Sequence, residues 1–176
     1  MTVAPELTTE RLHLRPLRDS DAAAIALHVG DRRVARNLAV VPFPYPKGAA
    51  EEFIARSTAS DAAGPVWAIV PTGSPSDELV GVISYDLDGT VAKLGYWLAP
   101  AFWNSGYMTE AAGAVIDHAR AQGVTRMETS AHQDNPASAK VLSKVGFHYV
   151  GDDAHFSVAQ NATVDVWLYR LDFDDG

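Results

Sequence analysis

The sequence predicts a mixed α/β (α+β) domain, in which a mostly antiparallel central sheet is flanked by helices. Three observations support this fold class. A run of alternating apolar and polar residues lies near the start, three strand-like runs separated by turn residues fill the middle, and helical patterns alternate with strands after Pro100. The 176 residues contain no internal repeat, so residues 1–176 are expected to form a single domain.

Hydrophobic periodicity and turn residues place each element. The predicted strands are residues 11–16, 66–70, 79–85, 91–98, 126–132, 147–151 and 164–171. The predicted helices are residues 22–28, 48–60, 108–119 and 136–145. Asp19 to Asp21 are expected to cap the first helix and Asn135 the last, with Pro136 at the first helical position. A proline-rich loop that carries Phe43 and Tyr45 separates the first two helices.

Composition excludes several classes of function. The net charge of −8 argues against nucleic acid as a partner, because phosphate contacts need a basic surface. The absence of cysteine removes disulfides and thiol nucleophiles, and the six histidines lack the spacing of metal ligands, so no metal is predicted. The sequence has neither a signal-peptide core nor an apolar run long enough to span a bilayer. We therefore expect a cytoplasmic location and no membrane association.

A turn at residues 104–109 joins a predicted strand to a predicted helix. Its glycine, Gly106, is followed directly by the helix start. Such a turn presents unpaired backbone N–H groups and the positive end of the helix dipole, which suits a pyrophosphate. Glycine at such a turn also has purely steric uses, so the turn by itself is a weak signal. The turn is neither a Walker loop nor a dinucleotide-binding fingerprint.

A second pattern places Asn135 and Ser138 on the first turn of the last helix. As structural features, both are ordinary residues of a helix start. As chemistry, they offer a carboxamide and a hydroxyl at the mouth of the sheet.

Three ordered motifs together resemble one family over nearly the whole chain, from about Glu10 to the final strand. The motifs are LTTERLHLR (7–15), GYWL (95–98) with GYMTEA (106–111), and NPAS (135–138) with KVGF (144–147). In this combination the chain resembles the GNAT superfamily of acetyl-CoA-dependent N-acetyltransferases, and most of all the branch that acetylates the N-terminal amines of ribosomal proteins.

The resemblance implies acetyl-CoA as cosubstrate, bound where the strand before the turn splays from its neighbour. The implied acetyl-CoA contacts are Trp97, Leu98, Asn104, Ser105, Gly106, Tyr107, Met108, Thr109, Asn135 and Lys140. The strand residues would pair with the pantetheine arm, the turn amides would hold the pyrophosphate, and Asn135 would bind the pantetheine or order the acetyl end. The family usually has a Gln or Arg before the turn glycine. Here Asn104 and Ser105 stand there instead, which leaves the phosphates to backbone amides.

The resemblance also implies direct attack of a neutral amine on the thioester, with an acid that protonates the leaving thiolate. Many members use a tyrosine one helical turn beyond Ser138, a position that Leu142 occupies here. The branch that acetylates ribosomal proteins uses a serine in its place, and Ser138 matches it, so the resemblance implies Ser138 as the acid, with a structural role as the alternative. Strand alternation places Glu128 and His132 on one face as candidate bases, and an ordinary strand-end histidine is the alternative for His132.

Several alternatives stay open at the level of sequence. Leu142 at the usual acid position is also compatible with an acetyl-CoA sensor that does not catalyse transfer. The acceptor could be a protein N-terminus or a small amine, in a pocket near Phe43, Tyr45 and His155. Glu110, in the first turn of its helix, is assigned to the helix dipole rather than to catalysis. A homodimer through the last strands is possible.

Overall fold

A computed structural model describes residues 4–173, which form one eight-stranded sheet covered by helices on both faces. The strands are β1 (Leu7–Thr8), β2 (Leu12–Pro16), β3 (Val66–Pro71), β4 (Gly81–Asp88), β5 (Val91–Leu98), β6 (Arg126–His132), β7 (His148–Ser157) and β8 (Ala162–Asp172). The helices are α1 (Ala22–Val29), α2 (Arg32–Ala35), α3 (Ala49–Thr58), α4 (Tyr107–Ala121) and α5 (Pro136–Lys144). Short 3₁₀ turns lie at Asp19–Asp21 and Pro100–Phe102.

The strand order is β1-β2-β3-β4-β5-β6-β8-β7, and every neighbouring pair is antiparallel except β5 and β6. This arrangement confirms the predicted fold class. The parallel pair joins residues 91–93 to residues 126–128 and extends no further. Because β5 continues to Leu98 and β6 to His132, the two strands separate over their last residues and open a cleft in the sheet.

Strand alternation divides the apolar residues between two cores. On β3, Trp67 and Ile69 join the core beneath α4 and α5, whereas Ala68 and Val70 join the core beneath α1 and α3. The sheet is thus buried on both faces, and the cleft between β5 and β6 opens toward both layers of helices. Among the described residues, no helix has the length and hydropathy needed to cross a membrane.

The predictions omitted β1 and α2 and placed β4 at 79–85 rather than 81–88. Two further local features depend on tertiary contacts. Asp21 was expected to cap α1, but its buried carboxylate instead accepts hydrogen bonds from the Arg15 guanidinium at 2.8 and 2.9 Å and from the Arg18 N–H. A buried guanidinium needs a carboxylate partner, and this need outweighs the gain from a cap. The strand expected to begin at residues 147–151 starts at 148 and continues to 157, because pairing with β8 supports residues of low strand propensity such as Asp152 and Asp153.

Candidate active site

The backbone of β5 faces the cleft where the strands separate. The Ala99 N–H donates to the Val80 carbonyl at 2.8 Å, on the β4 side of the strand. By strand alternation, the backbone groups of Leu98 and Tyr96 therefore point away from β4, toward the cleft. The Leu98 carbonyl already accepts a hydrogen bond from the Trp103 indole at 2.7 Å. The backbone surface offered to an extended ligand is therefore centred on residues 96–98, one residue earlier than predicted.

The turn at residues 104–109, hereafter called the phosphate loop after its predicted role, forms the predicted strand-to-helix junction. Asn104 and Gly106 both have positive φ values, 59° and 81°, and Gly106 is the N-cap of α4. The Ser105 hydroxyl donates to the Phe102 carbonyl and accepts from the Tyr107 N–H at 3.3 Å. The first N–H groups of a helix have no intrahelical partner. In α4 these include the amides of Met108 and Thr109, at the positive end of a 15-residue helix.

Arg11, in the short turn between β1 and β2, is fastened to the phosphate loop. Its Nη1 donates to the Ser105 carbonyl at 2.9 Å, and its guanidinium lies 4.8 Å from the centre of the Tyr107 ring. Its Nη2 is so close to Gly106 that a Cβ there would lie only 3.1 Å away. The fold thus brings to the loop a cation that the loop sequence lacks.

Glu110 is the anchor for this arrangement. Its carboxylate accepts from the Thr9 hydroxyl at 2.7 Å, the Arg11 N–H at 2.8 Å and the Arg11 Nε at 2.9 Å. Burial alone would raise the pKa of Glu110, but these hydrogen bonds together lower it. The first-turn position does suit the helix dipole, as predicted. The structure adds a tertiary role, because Glu110 ties the β1–β2 turn to the start of α4.

Ser138 lies on the first turn of α5, beside the cleft. Its Oγ is 2.7 Å from the hydroxyl of Tyr96 on β5, a hydrogen bond in which either oxygen can be the donor, and the Tyr96 hydroxyl is also within donating distance, 3.3 Å, of the Ser138 carbonyl. Asn135 occupies the N-cap position as predicted, but its side chain makes no capping hydrogen bond. The carboxamide of Asn135 is therefore not engaged in capping α5, which suits the binding role that the sequence predicts for it.

His132 ends β6 on the opposite face of the sheet from Ser138. It is 4% exposed, and its Nε2 lies 2.9 Å from the Nε2 of His155 on β7. Burial lowers the pKa of His132, and the nearby His155 lowers it further. The ring is therefore neutral at physiological pH and able to accept a proton. Above it, Arg36 pairs with Asp134 at 2.8 Å and ties the segment after α2 to this end of β6.

The structure does not bring Glu128 to the same place. Glu128 pairs with Lys93 in the closed part of the β5–β6 ladder, and its side chain is 53% exposed. His132 lies four residues further along β6, about 13 Å at the usual rise per residue. Of the two candidate bases, only His132 lies at the open end of the cleft.

The remaining predicted residues are distributed along the cleft and its rim. Lys140 is exposed on α5, whereas the Met108 side chain is buried in the core and contributes only its backbone to the phosphate loop. The Trp97 side chain packs on the α1 and α3 side, 6.2 Å from the ring of His28. Its backbone lies opposite Val82 of β4.

The proline-rich loop covers the α1 and α3 side of the sheet. The Tyr45 side chain packs against the core there, and burial raises its pKa. Phe43 lies 4.6 Å beneath the Arg32 guanidinium. Both aromatics thus hold the loop against the rest of the protein.

Sequence reasoning missed Arg11 and Tyr96 as members of the site. Both belong to motifs that carry the family resemblance, but their contacts span 94 and 42 residues of sequence. Strand periodicity does show that Tyr96 and Leu94 share a face of β5. No pattern in the nearby sequence, however, indicates that α5 lies opposite that face. Among the described residues, no cluster of three or more potential metal ligands occurs.

Comparison with known proteins identifies the family to which the chain belongs. The model of the acetyltransferase (GNAT) domain matches residues 11–148. An uncharacterized N-acetyltransferase, p20, of Bacillus licheniformis is 25% identical over 169 residues, which cover 94% of each chain.

Among solved structures, the ribosomal-protein-S5-alanine acetyltransferase of Vibrio fischeri aligns with a TM-score of 0.80 at 23% identity, over 97% of this chain and 98% of that one. The microcin C7 self-immunity acetyltransferase MccE, in complex with acetyl-CoA and AMP, aligns with a TM-score of 0.81 at 20% identity, over 94% of each chain. These two likenesses show the fold.

The geometry agrees with the chemistry of that family. A split between parallel strands exposes backbone groups that suit an extended ligand, and the start of α4 has unpaired amides that suit phosphates, beside Arg11. The residues present therefore fit acetyl-CoA, and the family makes it the cosubstrate, as the motifs implied. The chain belongs to the GNAT family and is an acetyl-CoA-dependent acetyltransferase.

Proposed function

We propose that this protein transfers the acetyl group of acetyl-CoA directly to a primary amine, either a protein N-terminus or a small molecule. One observation carries the proposal. At the open end of the split between β5 and β6, a hydroxyl of α5 (Ser138) lies on one side of the sheet and a neutral imidazole of β6 (His132) on the other. Acid and base are thus available on opposite sides of one cleft, as direct transfer requires.

In this proposal the phosphate loop holds the pyrophosphate through the amides of residues 104–109, with Arg11 as the added cation. The pantetheine arm extends along residues 96–98, and Asn135 contacts it from α5. Lys140, on the exposed side of α5, is assigned to the outer part of the cofactor. Positioning of this kind brings the thioester and the amine together and removes much of the entropic barrier.

The amine enters from the α1 and α3 side, where His132 and His155 lie. The amine nitrogen attacks the thioester carbonyl carbon, the new N–C bond forms and the C–S bond breaks. The histidine pair takes one proton from the nitrogen, and Ser138 gives one to the leaving sulfur. A neutral His132 is required for this step, so its lowered pKa favours activity at neutral pH.

The acceptor class is the open part of the proposal. One structural neighbour is a ribosomal-protein alanine acetyltransferase and the other a microcin self-immunity acetyltransferase, so both a protein N-terminus and a small amine are reasonable acceptors. The net charge of −8 favours a cationic acceptor through long-range attraction. A sensor that binds acetyl-CoA without catalysis is the second candidate, supported by Leu142 at the family's usual acid position.

The test combines calorimetric titration of acetyl-CoA with a thiol-release assay. The amine panel contains peptides with free N-termini, the same peptides N-acetylated, a polyamine and an aminoglycoside. We expect micromolar binding, about −8 kcal/mol, and thiol release only with free amines. Ser138→Ala should lower kcat about a hundredfold, whereas Ser143→Ala, on the exposed side of the same helix, should not.

Each other outcome has a clear meaning. Binding without thiol release for every amine supports the sensor. Release with an unchanged kcat in Ser138→Ala keeps the enzyme but removes Ser138 as the acid. An absence of acetyl-CoA binding contradicts the assignment of the phosphate loop.

A further inference from the structure

The hydrogen bond between Tyr96 and Ser138 crosses the cleft. Tyr96 projects from β5 and Ser138 from α5, which follows β6, so the bond joins the two walls that the strand split separates. The Tyr96 Oη lies 2.7 Å from the Ser138 Oγ and 3.3 Å from the Ser138 carbonyl. A partly buried phenol that reaches across an opening to a proposed proton donor invites a functional explanation.

A serine hydroxyl by itself is a poor acid, because it does not titrate in the accessible pH range. A tyrosine hydroxyl titrates near 10 in water and is far closer to the basicity of a thiolate. Burial raises the pKa of Tyr96 to about 12, although the hydrogen bond with Ser138 acts in the opposite direction. Tyr96 therefore keeps its proton at neutral pH and can donate it in a hydrogen bond.

The helix position that carries a tyrosine in many relatives is occupied by Leu142, which is fully buried in the core. The Leu142 side chain packs in the core and carries no proton to donate. The structure instead brings a tyrosine hydroxyl to Ser138 from the opposite wall, on β5. The phenol at this cleft therefore comes from β5 and not from α5.

We propose that Tyr96 positions the Ser138 hydroxyl and replaces the proton that Ser138 gives to the leaving sulfur. This inference rests on the proposed acetyl transfer. As the C–S bond breaks, the sulfur uses its electron pair to take the Ser138 proton, and the Ser138 oxygen takes the proton of Tyr96. The resulting phenolate regains a proton from water after the products leave. Tyr96 acts through Ser138 and is therefore a positioning residue.

The test compares Tyr96→Phe with Tyr85→Phe. Tyr85 is a buried tyrosine of the neighbouring strand β4, and its pKa is also raised by burial, so it controls for the loss of a buried hydroxyl. We expect Tyr96→Phe to lower kcat about tenfold to a hundredfold and to leave KM and the calorimetric Kd for acetyl-CoA unchanged. Its melting temperature should change no more than that of Tyr85→Phe.

A double-variant comparison separates a relay from a structural hydrogen bond. In the Ser138→Ala background, Tyr96→Phe should cause no further loss of kcat, because the two hydroxyls act as one unit. Ser138→Thr keeps a hydroxyl and should restore sensitivity to Tyr96→Phe. Losses that multiply in the double variant would contradict the relay.

The failure of this inference can be told from that of the proposed function. If the wild-type protein transfers acetyl groups and Tyr96→Phe keeps its kcat within twofold, the relay alone is wrong. If Tyr96→Phe raises the Kd for acetyl-CoA as much as it lowers kcat/KM, Tyr96 supports binding and the relay is again wrong. If the wild-type protein binds acetyl-CoA but transfers to no amine, both proposals fail together.

Discussion

The two ends of the cleft are built in different ways. The phosphate loop is one contiguous stretch, residues 104–109, whose shape follows from a glycine at φ 81° and the start of a helix. The proposed proton-transfer end, by contrast, consists of Tyr96, Ser138, His132 and His155, which lie on β5, α5, β6 and β7. Only the overall fold brings these four side chains together.

This difference predicts how each end responds to substitution. A loop that depends on local backbone geometry should be sensitive to a change at a single backbone position. Substitutions in a cluster that is held by hydrogen bonds between elements should lower kcat rather than the affinity for acetyl-CoA, because the members of the cluster meet through side chains. Even the loop is not fully local, since Arg11 and Glu110 fasten it to the β1–β2 turn.

The largest effect is expected from Gly106→Ala, which tests the local character of the loop. An alanine at φ 81° is strained, and its Cβ would lie 3.1 Å from Arg11 Nη2. Strain of about 1–3 kcal/mol favours another loop conformation, so acetyl-CoA affinity should fall about tenfold to a hundredfold. Calorimetry measures the change.

Gly48→Ala is the matched control for that experiment. Gly48 is also an N-cap glycine, before α3, and has φ 83° with no atom near its missing Cβ. The strain should lower the melting temperature while affinity for acetyl-CoA stays at the wild-type value. Equal affinity losses in both variants would mean that general destabilisation, not the loop, is responsible.

A smaller effect is expected from Arg11→Gln, which tests whether the loop needs the β1–β2 turn. Loss of the cation and of the bond to the Ser105 carbonyl should weaken acetyl-CoA binding about three- to tenfold. Arg11 can act by attracting the phosphates directly or by positioning the loop. Glu110→Gln separates these two roles, because it removes the charge that neutralises Arg11. Tighter binding in Glu110→Gln indicates direct attraction to the phosphates, and weaker binding in both variants indicates positioning alone. Unchanged affinity in Arg11→Gln would contradict either role.

The smallest effect concerns His132 and the pH dependence of stability. The folded pKa of His132 lies below the usual 6.5, so the unfolded chain binds more protons as the pH falls through that value. The stability of the wild-type protein should therefore decrease as the pH falls below 6.5. In His132→Gln this decrease should be smaller, as measured by urea unfolding at pH 7.5 and 5.5.

His148→Gln controls for the loss of an exposed histidine from β7. Its decrease in stability with acidity should equal that of the wild-type protein. If His132→Gln shows the full wild-type decrease as well, the burial of His132 does not govern acid stability. The same two variants should bind acetyl-CoA with unchanged affinity, since neither contacts the phosphate loop.

Most elements could be predicted because their signals are local. The alternation of β6 gave its bounds correctly at Arg126 and His132, and Asn135 with Pro136 placed the start of α5. The role of Asp21 could not be predicted in this way, since it depends on Arg15 being buried nearby. The extension of β7 to Ser157 depends likewise on its pairing with β8.

The sequence by itself determined the fold class, the family and the place of the phosphate loop, because periodicity, caps and a turn glycine act within a few residues. Tertiary structure alone decided that Arg11 joins that loop, that His132 rather than Glu128 lies at the open end, and that Tyr96 meets Ser138. The Arg11 and Tyr96 contacts join residues that lie 94 and 42 positions apart in the chain. The split between β5 and β6 likewise involves two strands that are distant in sequence, and no local pattern encodes either feature.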